Sequence, residues 1–221
     1  MCLYAVSLPA IALRRLSTLS AIILGSLACA AAASAAEPVG RVDKLERQAV
    51  AVLGGQSRDM GLNGPVYFKD MIRTGAASRL ESKLADGTVL TLGEHARITV
   101  DEFVYRPDRP GGRLGLTVAR GAFLFVGGKI EGPTGGNVAI RTAVGTLGVR
   151  GTTVWGGAID GGFGVLVLDG LVTLRTGRGS VTLRKGQGTM VYPGRAPPAA
   201  APGPEDRTKR AVATISFTPQ R

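Results

Sequence analysis

The sequence predicts an all-β protein, built from short antiparallel hairpins in a bent sandwich or in a rolled, solenoid-like stack. Short apolar runs recur from residue 67 onward, and glycine-containing turns separate them. Asp-Gly pairs at 86–87, 160–161 and 169–170 each lie between apolar runs and predict tight hairpin turns. Beyond residue 36, no stretch combines a sustained helical period with helix caps. Because the chain contains 33 glycines, we expect short and strongly bent strands.

The predicted elements form three successive parts of the chain. Residues 37–69 are an N-terminal segment of short strands, and residues 70–193 are the main β domain. The strands of this domain are predicted around 80–84, 89–92, 98–100, 103–105, 114–118, 122–126, 165–168, 171–174, 181–184 and 189–192. Residues 194–221 are rich in proline and alanine, which favours a C-terminal tail that buries little apolar surface. The run AVATISF at 211–217 is either a docked strand or part of this tail, and its surroundings favour the tail.

Residues 1–36 have the pattern of a signal peptide. Arg14 and Arg15 precede an apolar run that fades into alanine and serine, with small-x-small cleavage patterns at 33–35 and 34–36. A membrane anchor is the alternative, but the alanine-rich second half favours cleavage and leaves no stable membrane span. We therefore expect a periplasmic or secreted protein.

Both cysteines, Cys2 and Cys29, lie within the predicted signal peptide. A cleaved chain would have no thiol for disulfides, metal ligation or catalysis. Lipidation of Cys29 is the alternative, although Ser26 stands where lipoprotein signals usually have leucine.

Positive charge dominates the chain. The formal net charge is +11 at pH 7, and loss of the two leader arginines would reduce it by two. Outside the cytoplasm, such a charge favours an envelope protein with an acidic face or an anionic polysaccharide as partner. Export and an aromatic content of 5% argue against nucleic acid.

Residues 137–156 contain two arginines but no carboxylate, histidine or cysteine. The segment can present guanidinium groups, but it supplies no general base, nucleophile pair or metal shell. The only histidine, His95, is a poor metal site by itself, and the adjacent Asp101 and Glu102 point to opposite faces of a strand. We predict a protein that is not an enzyme and has no cofactor or metal.

Four residues of this segment are the predicted partner-binding candidates: Arg141, Arg150, Thr152 and Trp155. The arginines could bind a partner's carboxylate through paired hydrogen bonds. Alternatively, and favoured by the glycine-rich composition, they bond internally to backbone carbonyls or to Asp86, Asp101 or Asp169. Trp155 is either an exposed interaction anchor or a core side chain.

The chain resembles the FecR domain of bacterial envelope proteins over roughly residues 70–192. Four blocks carry the resemblance: IRTGAAS at 72–78, LADGTVLTLG at 84–93, GAFLFVGGK at 121–129 and IRTAVGTLGVRGT at 140–152. Ala143 stands where the family usually has proline, which loosens one turn.

The iron-transport regulators of this family carry a cytoplasmic anti-sigma region, for which the residues before the apolar stretch are too few. The resemblance therefore implies a stand-alone exported member that acts in envelope protein interaction, signalling or scaffolding. A carbohydrate or cell-wall binding module that uses the basic surface is the alternative.

Overall fold

The computed structural model describes residues 37–132, 135–192 and 194–219. They belong to one compact unit, Ala35–Arg221. The predicted signal peptide, with its cleavage site and both cysteines, lies outside the described residues. Within the described part, no helix has the length and apolar character needed to span a membrane.

The described residues form sixteen strands, one 3₁₀ turn and one α-helix. In chain order these are β1 (Pro38–Glu46), β2 (Ala49–Leu53), β3 (Gln56–Asp59), β4 (Pro65–Tyr67), β5 (Met71–Thr74), β6 (Arg79–Leu84), β7 (Val89–Leu92), β8 (Arg97–Val104), β9 (Arg113–Arg120), β10 (Phe123–Val126), the 3₁₀ turn (Lys129–Glu131), β11 (Asn137–Thr142), β12 (Thr146–Ile159), β13 (Gly162–Thr176), β14 (Gly179–Arg184), β15 (Gln187–Val191), β16 (Ala201–Pro202) and α1 (Glu205–Ala213).

All these strands belong to one mixed sheet. The main path runs β3-β2-β5-β8-β9-β11-β12-β10-β7-β6-β1-β4, while β13 pairs with β12, β14 and β15, and β16 pairs with β15. Among the described strands β9 and β11 form the one parallel pair, and the others run antiparallel. The prediction of an all-β fold is confirmed.

The sheet is rolled rather than flat. Strands β1 and β2 lie near opposite ends of the main path, yet only Arg47 and Gln48 separate them along the chain. Nη2 of Arg58 in β3 also donates to the carbonyl oxygen of Pro65 in β4 at 3.1 Å, which ties the first and last strands of the path together. Both ends therefore contribute to one buried core, and the sheet forms a half-barrel.

Side-chain alternation along each strand defines the core face. In β6, Leu80, Ser82 and Leu84 are buried while the residues between them are partly or fully exposed. The same period of two recurs in β8 and β11. Fully buried side chains from many strands fill the interior, among them Ile72, Leu90, Ile98, Phe123, Phe125 and Ile140.

The hairpin of β12 and β13 is longer than predicted, with strands of 14 and 15 residues. The predicted turn at Asp160-Gly161 is confirmed, since both residues have positive φ, 51° and 74°. The predicted hairpin at Asp169-Gly170 is wrong, because both residues lie inside β13. Gly170 adopts φ 81° beside a register shift in the β12–β13 ladder. A bulge absorbs its positive φ, and pairing continues on both sides.

The C-terminal segment differs from the predicted tail. Helix α1 packs against the sheet, where Ala211 and Ile215 are buried in a second cluster with Trp155, Leu166 and Ala122. The apolar residues of α1 are few and small, so the sequence shows no helical period there. Their burial depends on Trp155, which they cover. The domain boundaries proposed from composition remain a prediction.

Candidate functional site

Arg141 and Arg150 both lie on the outer face of the sheet. Val138 and Ile140 of β11 are buried, as are Leu147 and Val149 of β12. Because strand side chains alternate between faces, the arginines that follow these buried residues point to solvent. Both are exposed.

An open groove lies on this outer face, across β11, β12 and β13. Its volume is about 320 Å³, and Asn137, Gly148, Arg150, Thr173 and Arg175 are among the residues that line it. We call these five residues the outer groove. A Cβ placed on Gly148 would meet nothing nearer than the carbonyl oxygen of Thr173, at 3.8 Å, so the floor is open.

Arg150 and Arg175 stand toward opposite ends of the outer groove. Arg150 pairs with Leu171 and Arg175 with Thr146 in the β12–β13 ladder. A separation of four residues corresponds to about 13 Å along the strands. Among the described residues, neither guanidinium forms a salt bridge. Both groups are therefore free to meet an external anion.

Arg141 lies outside the outer groove and has an internal neighbour. Its Nη1 is 3.8 Å from Oδ2 of Asp101, and 58% of the side chain is exposed. The Asp101 oxygen also accepts a hydrogen bond from the hydroxyl of Thr117. This is a long and weak ion pair, so the predicted internal alternative with Asp101 is only loosely realised.

The other predicted internal partners are engaged elsewhere. Oδ2 of Asp86 accepts the hydroxyl of Thr88 at 2.7 Å, and Asp169 pairs with Lys185 at 3.2 Å. Neither carboxylate contacts Arg150 in the described structure.

Thr152 and Trp155 are buried, with 4% and 1% of their surface exposed. The hydroxyl of Thr152 lies 2.7 Å from the carbonyl oxygen of Arg150 and accepts its N–H at 3.1 Å. Nε1 of Trp155 donates to Oγ1 of Thr214 at 3.1 Å. Of its two predicted roles, Trp155 has that of a core side chain, and Thr152 fixes the backbone that carries Arg150.

Three residues support this backbone, Glu131, Thr152 and Asp86, and we call them the polar node. Oε2 of Glu131 accepts the N–H of Thr152 at 3.1 Å, and Oε1 is buried without a hydrogen-bond partner among the described residues. Burial, and next the negative charge of Asp86, raise the pKa of Glu131, against N–H donation from Thr152 and Gly151.

The polar node joins three of the four sequence blocks. Asp86 belongs to block 84–93, and Thr152 ends block 140–152. In block 121–129, a Cβ on Gly127 would lie 1.6 Å from Oε2 of Glu131, so a side chain there would displace this carboxylate. The node holds the bulge at Gly151 and thereby the position of Arg150.

Sequence reasoning missed Asn137, Thr173 and Arg175. The alternation of Val172, Leu174 and their neighbours places Thr173 and Arg175 on one face, which is readable from the sequence. The strand register that brings them beside Arg150 cannot be read from the sequence, because it depends on the bulges in both strands. Within the described residues, no group of three or more His, Cys, Asp or Glu side chains is arranged to hold a metal ion.

Fold and site together define an all-β domain whose outer face carries an arginine-lined groove. The model of the family described as FecR protein matches residues 70–173. This part of the chain is therefore a FecR domain, and the resemblance stated from the four blocks is confirmed. A search of curated proteins found no significant match.

Two solved structures are similar to this chain. One, a candidate anti-sigma factor from Parabacteroides distasonis ATCC 8503 solved at 2.50 Å, is 14% identical with a TM-score of 0.51. The other, described in the same words and solved at 1.65 Å, is 15% identical with a TM-score of 0.49. Each alignment covers 63% of this chain and 62% of the solved chain, less than two thirds of its length. At 14% identity, the likeness to the structure solved at 2.50 Å concerns the fold alone.

Proposed function

We propose that this chain is a non-catalytic, exported FecR-domain protein that acts in envelope signalling or scaffolding by binding an acidic protein partner through the outer groove. The observation that carries the proposal is the pair of exposed guanidinium groups, Arg150 and Arg175, that no described carboxylate neutralises. Planar guanidinium groups bind carboxylates through two parallel hydrogen bonds.

The geometry of the outer groove suits two carboxylates on one partner surface. Arg150 and Arg175 are separated by about 13 Å along the strands, too far for both to bind a single carboxylate without bending toward each other. The floor between them, Gly148 and Thr173, leaves room for a partner's backbone. A strand or loop with acidic residues at both ends of this span fits the groove.

The lining of the groove favours protein over polysaccharide. Sugar rings commonly stack on aromatic side chains, and the described residues that line the groove include none. The regulatory part of the proposal is supported by the FecR match over residues 70–173. The solved structure with a TM-score of 0.51 contributes through its fold and not through its described activity.

Export is part of the proposal and rests on the pattern of residues 1–36. Fractionation of cells that produce the full chain, with mass measurement of the mature protein, tests it. A periplasmic or secreted product that begins near residue 36 or 37 is expected. A cytoplasmic product that still contains residues 1–36 would contradict export. It would not bear on binding through the outer groove.

The binding proposal is tested with Arg150→Gln and Arg175→Gln, alone and together. Lys83→Gln is the matched control, since Lys83 is also exposed and lies on β6, about 14 Å across the sheet from β12. Purified variants are crosslinked in envelope extracts, and each crosslinked protein is identified by mass spectrometry. We expect an acidic protein that crosslinks to the wild type and Lys83→Gln, and that is lost from the double variant. Equal crosslinking of the same protein by the double variant would overturn the proposal.

A further inference from the structure

A second arginine cluster lies on the outer face of β5, β8 and β9. Arg73 is directly opposite Arg97 in the β5–β8 ladder, and Arg97 is directly opposite Arg120 in the β8–β9 ladder. We call Arg73, Arg97 and Arg120 the arginine row. It lies on different strands from the outer groove, which occupies β11, β12 and β13.

The fold uses a bulge to complete the arginine row. Ile98 pairs with Val118, but Arg97 pairs with Arg120, so Ala119 is an extra residue in β9. With a regular register, Arg97 would face Ala119 instead. Bulges often redirect one side chain in this way, and here the redirected side chain is a third positive charge.

Such an arrangement is unfavourable when nothing is bound. Side chains directly opposite each other in antiparallel strands have Cβ atoms about 5 Å apart, and like charges there are destabilising. Within the described chain, none of the three arginines forms a salt bridge. Nε of Arg97 is also buried without a hydrogen-bond partner among the described residues.

The nearby carboxylates do not relieve this charge. Oε2 of Glu94 accepts the N–H of Ala77 at 2.9 Å. Asp59 is separated from Arg73 by the intervening strand β2, where Val50 pairs with both residues. Positive charge thus accumulates without an internal counterion on this part of the surface.

An open cavity lies beside two members of the arginine row, Arg73 and Arg120, and Arg97 is not among the residues that line it. Its volume is about 300 Å³, and its lining includes Arg73 and Arg120 together with Gln48, His95 and Gly75. This space is many times what one water molecule requires, and the side chains of Arg73 and Arg120 can supply nitrogen donors to it. A hydrated or partly dehydrated anion fits it.

We propose that the arginine row is a binding site for a phosphate-type oxyanion, either free phosphate or a phosphomonoester group. A tetrahedral dianion offers several acceptor oxygens and enough charge for arginines carried by three neighbouring strands. A single carboxylate offers two oxygens and one charge, and it would leave most of the row unpaired. The proposal is independent of the outer groove and would stand if that groove bound no partner.

The test measures thermal unfolding of the wild type and variants in phosphate and in chloride at matched ionic strength. Arg73→Gln and Arg120→Gln each remove one member of the row. Arg106→Gln is the control, because Arg106 is exposed beyond the far end of β8, more than about 20 Å along the strand from Arg97. Titration of inorganic phosphate by calorimetry gives the affinity of each variant.

We expect phosphate to raise the unfolding temperature of the wild type and of Arg106→Gln beyond the effect of chloride. Each row variant should bind phosphate at least about tenfold more weakly. In chloride alone the row variants should unfold at the same temperature as the wild type or higher, since repulsion within the row is relieved. Their loss of phosphate binding would then not arise from a damaged fold.

The source of the oxyanion is tested by flotation with phosphatidylcholine vesicles, with and without phosphatidic acid. Retention only with phosphatidic acid, lost in Arg120→Gln, identifies a lipid headgroup. Phosphate binding without retention identifies a soluble oxyanion, and both results support the site. The proposal is overturned if phosphate acts no differently from chloride, or if Arg106→Gln loses binding as much as the row variants do.

Discussion

Glu131 is a largely buried carboxyl group whose environment determines how the site responds to pH. Burial and the charge of Asp86 raise its pKa, while backbone N–H groups of Thr152 and Gly151 partly oppose the rise. Its second oxygen, Oε1, has no partner among the described residues. The ionised form is therefore unfavourable in the fold, although it holds the bulge that carries Arg150.

Replacement of Glu131 by glutamine tests this balance. Because the pKa of Glu131 is raised in the folded protein, its protonated form contributes to stability. This contribution is complete below the ordinary glutamate pKa, about 4.3, and is lost as pH rises through the pKa of the folded protein. Glutamine has no such titration. The unfolding temperature of Glu131→Gln should therefore match that of the wild type near pH 4 and exceed it progressively toward neutral pH. A pH-independent difference in calorimetry would show that Glu131 does not titrate as described.

Gly170 and Gly161 have similar positive φ values, 81° and 74°, in different surroundings. A Cβ on Gly170 would lie 2.1 Å from the carbonyl oxygen of Gly151, whereas a Cβ on Gly161 meets nothing within 4 Å. Gly161→Ala should cost about 1 kcal/mol of unfolding free energy from φ alone. Gly170→Ala should cost about 3 kcal/mol or more, because the bulge must also move. Chemical denaturation measures both, and equal losses would contradict the close approach at Gly170.

Helix α1 is held on the sheet by charge interactions as well as by packing. Asp160, at the tip of the β12–β13 hairpin, accepts hydrogen bonds from Arg210 and Arg207. Beneath the helix, Trp155 donates to Thr214. Arg210 first, and then Arg207, lower the pKa of Asp160.

Asp160→Asn should loosen α1 and change the fluorescence of Trp155, the only tryptophan of the chain. A lowered pKa gives stability that is present above the ordinary aspartate value and lost as pH falls through the folded value. Trp155 emission of the wild type should stay constant above about pH 4 and shift to the red below it. The variant should show red-shifted emission at neutral pH as well. Identical emission of the two proteins at neutral pH would mean that packing alone docks the helix.

The sequence predicted local turns better than long-range pairing. Asp160-Gly161 forms the predicted turn because the β12–β13 ladder ends beside it, at the pair Ile159 and Gly162. Asp169-Gly170 has the same two residues but lies inside β13, where β12 continues on the other side of the bulge. Helix α1 was missed because its short apolar face is stable only against Trp155. In both cases the structure depends on a distant part of the chain, β12 for Gly170 and Trp155 for α1. Local sequence patterns do not reveal such contacts.

At the scale of the whole molecule, the FecR match and the folded unit have different extents. The family model begins at residue 70, but β1 pairs with β6 and β2 pairs with β5. Val42, Ala49, Ala51, Met60 and Val66 of this earlier segment belong to the core. Without it, β5 and β6 would become open edges next to an uncovered core.

A chain of residues 70–219 should therefore not fold alone. The lost burial amounts to on the order of 5 kcal/mol or more, comparable to the total stability of a typical domain. Residues 37–219 should unfold cooperatively in calorimetry, and residues 70–219 should show no cooperative transition or should aggregate. A cooperative transition of the shorter chain at a similar temperature would show that the N-terminal strands are dispensable.

The most direct test of the account is the affinity for the crosslinked acidic partner, measured by calorimetry over a series of salt concentrations. If Arg150 and Arg175 bind its carboxylates, affinity falls as salt rises, and the double glutamine variant loses at least about tenfold at low salt together with most of the salt dependence. Lys83→Gln should follow the wild type. Equal affinity and equal salt dependence in all three proteins would contradict binding through the outer groove.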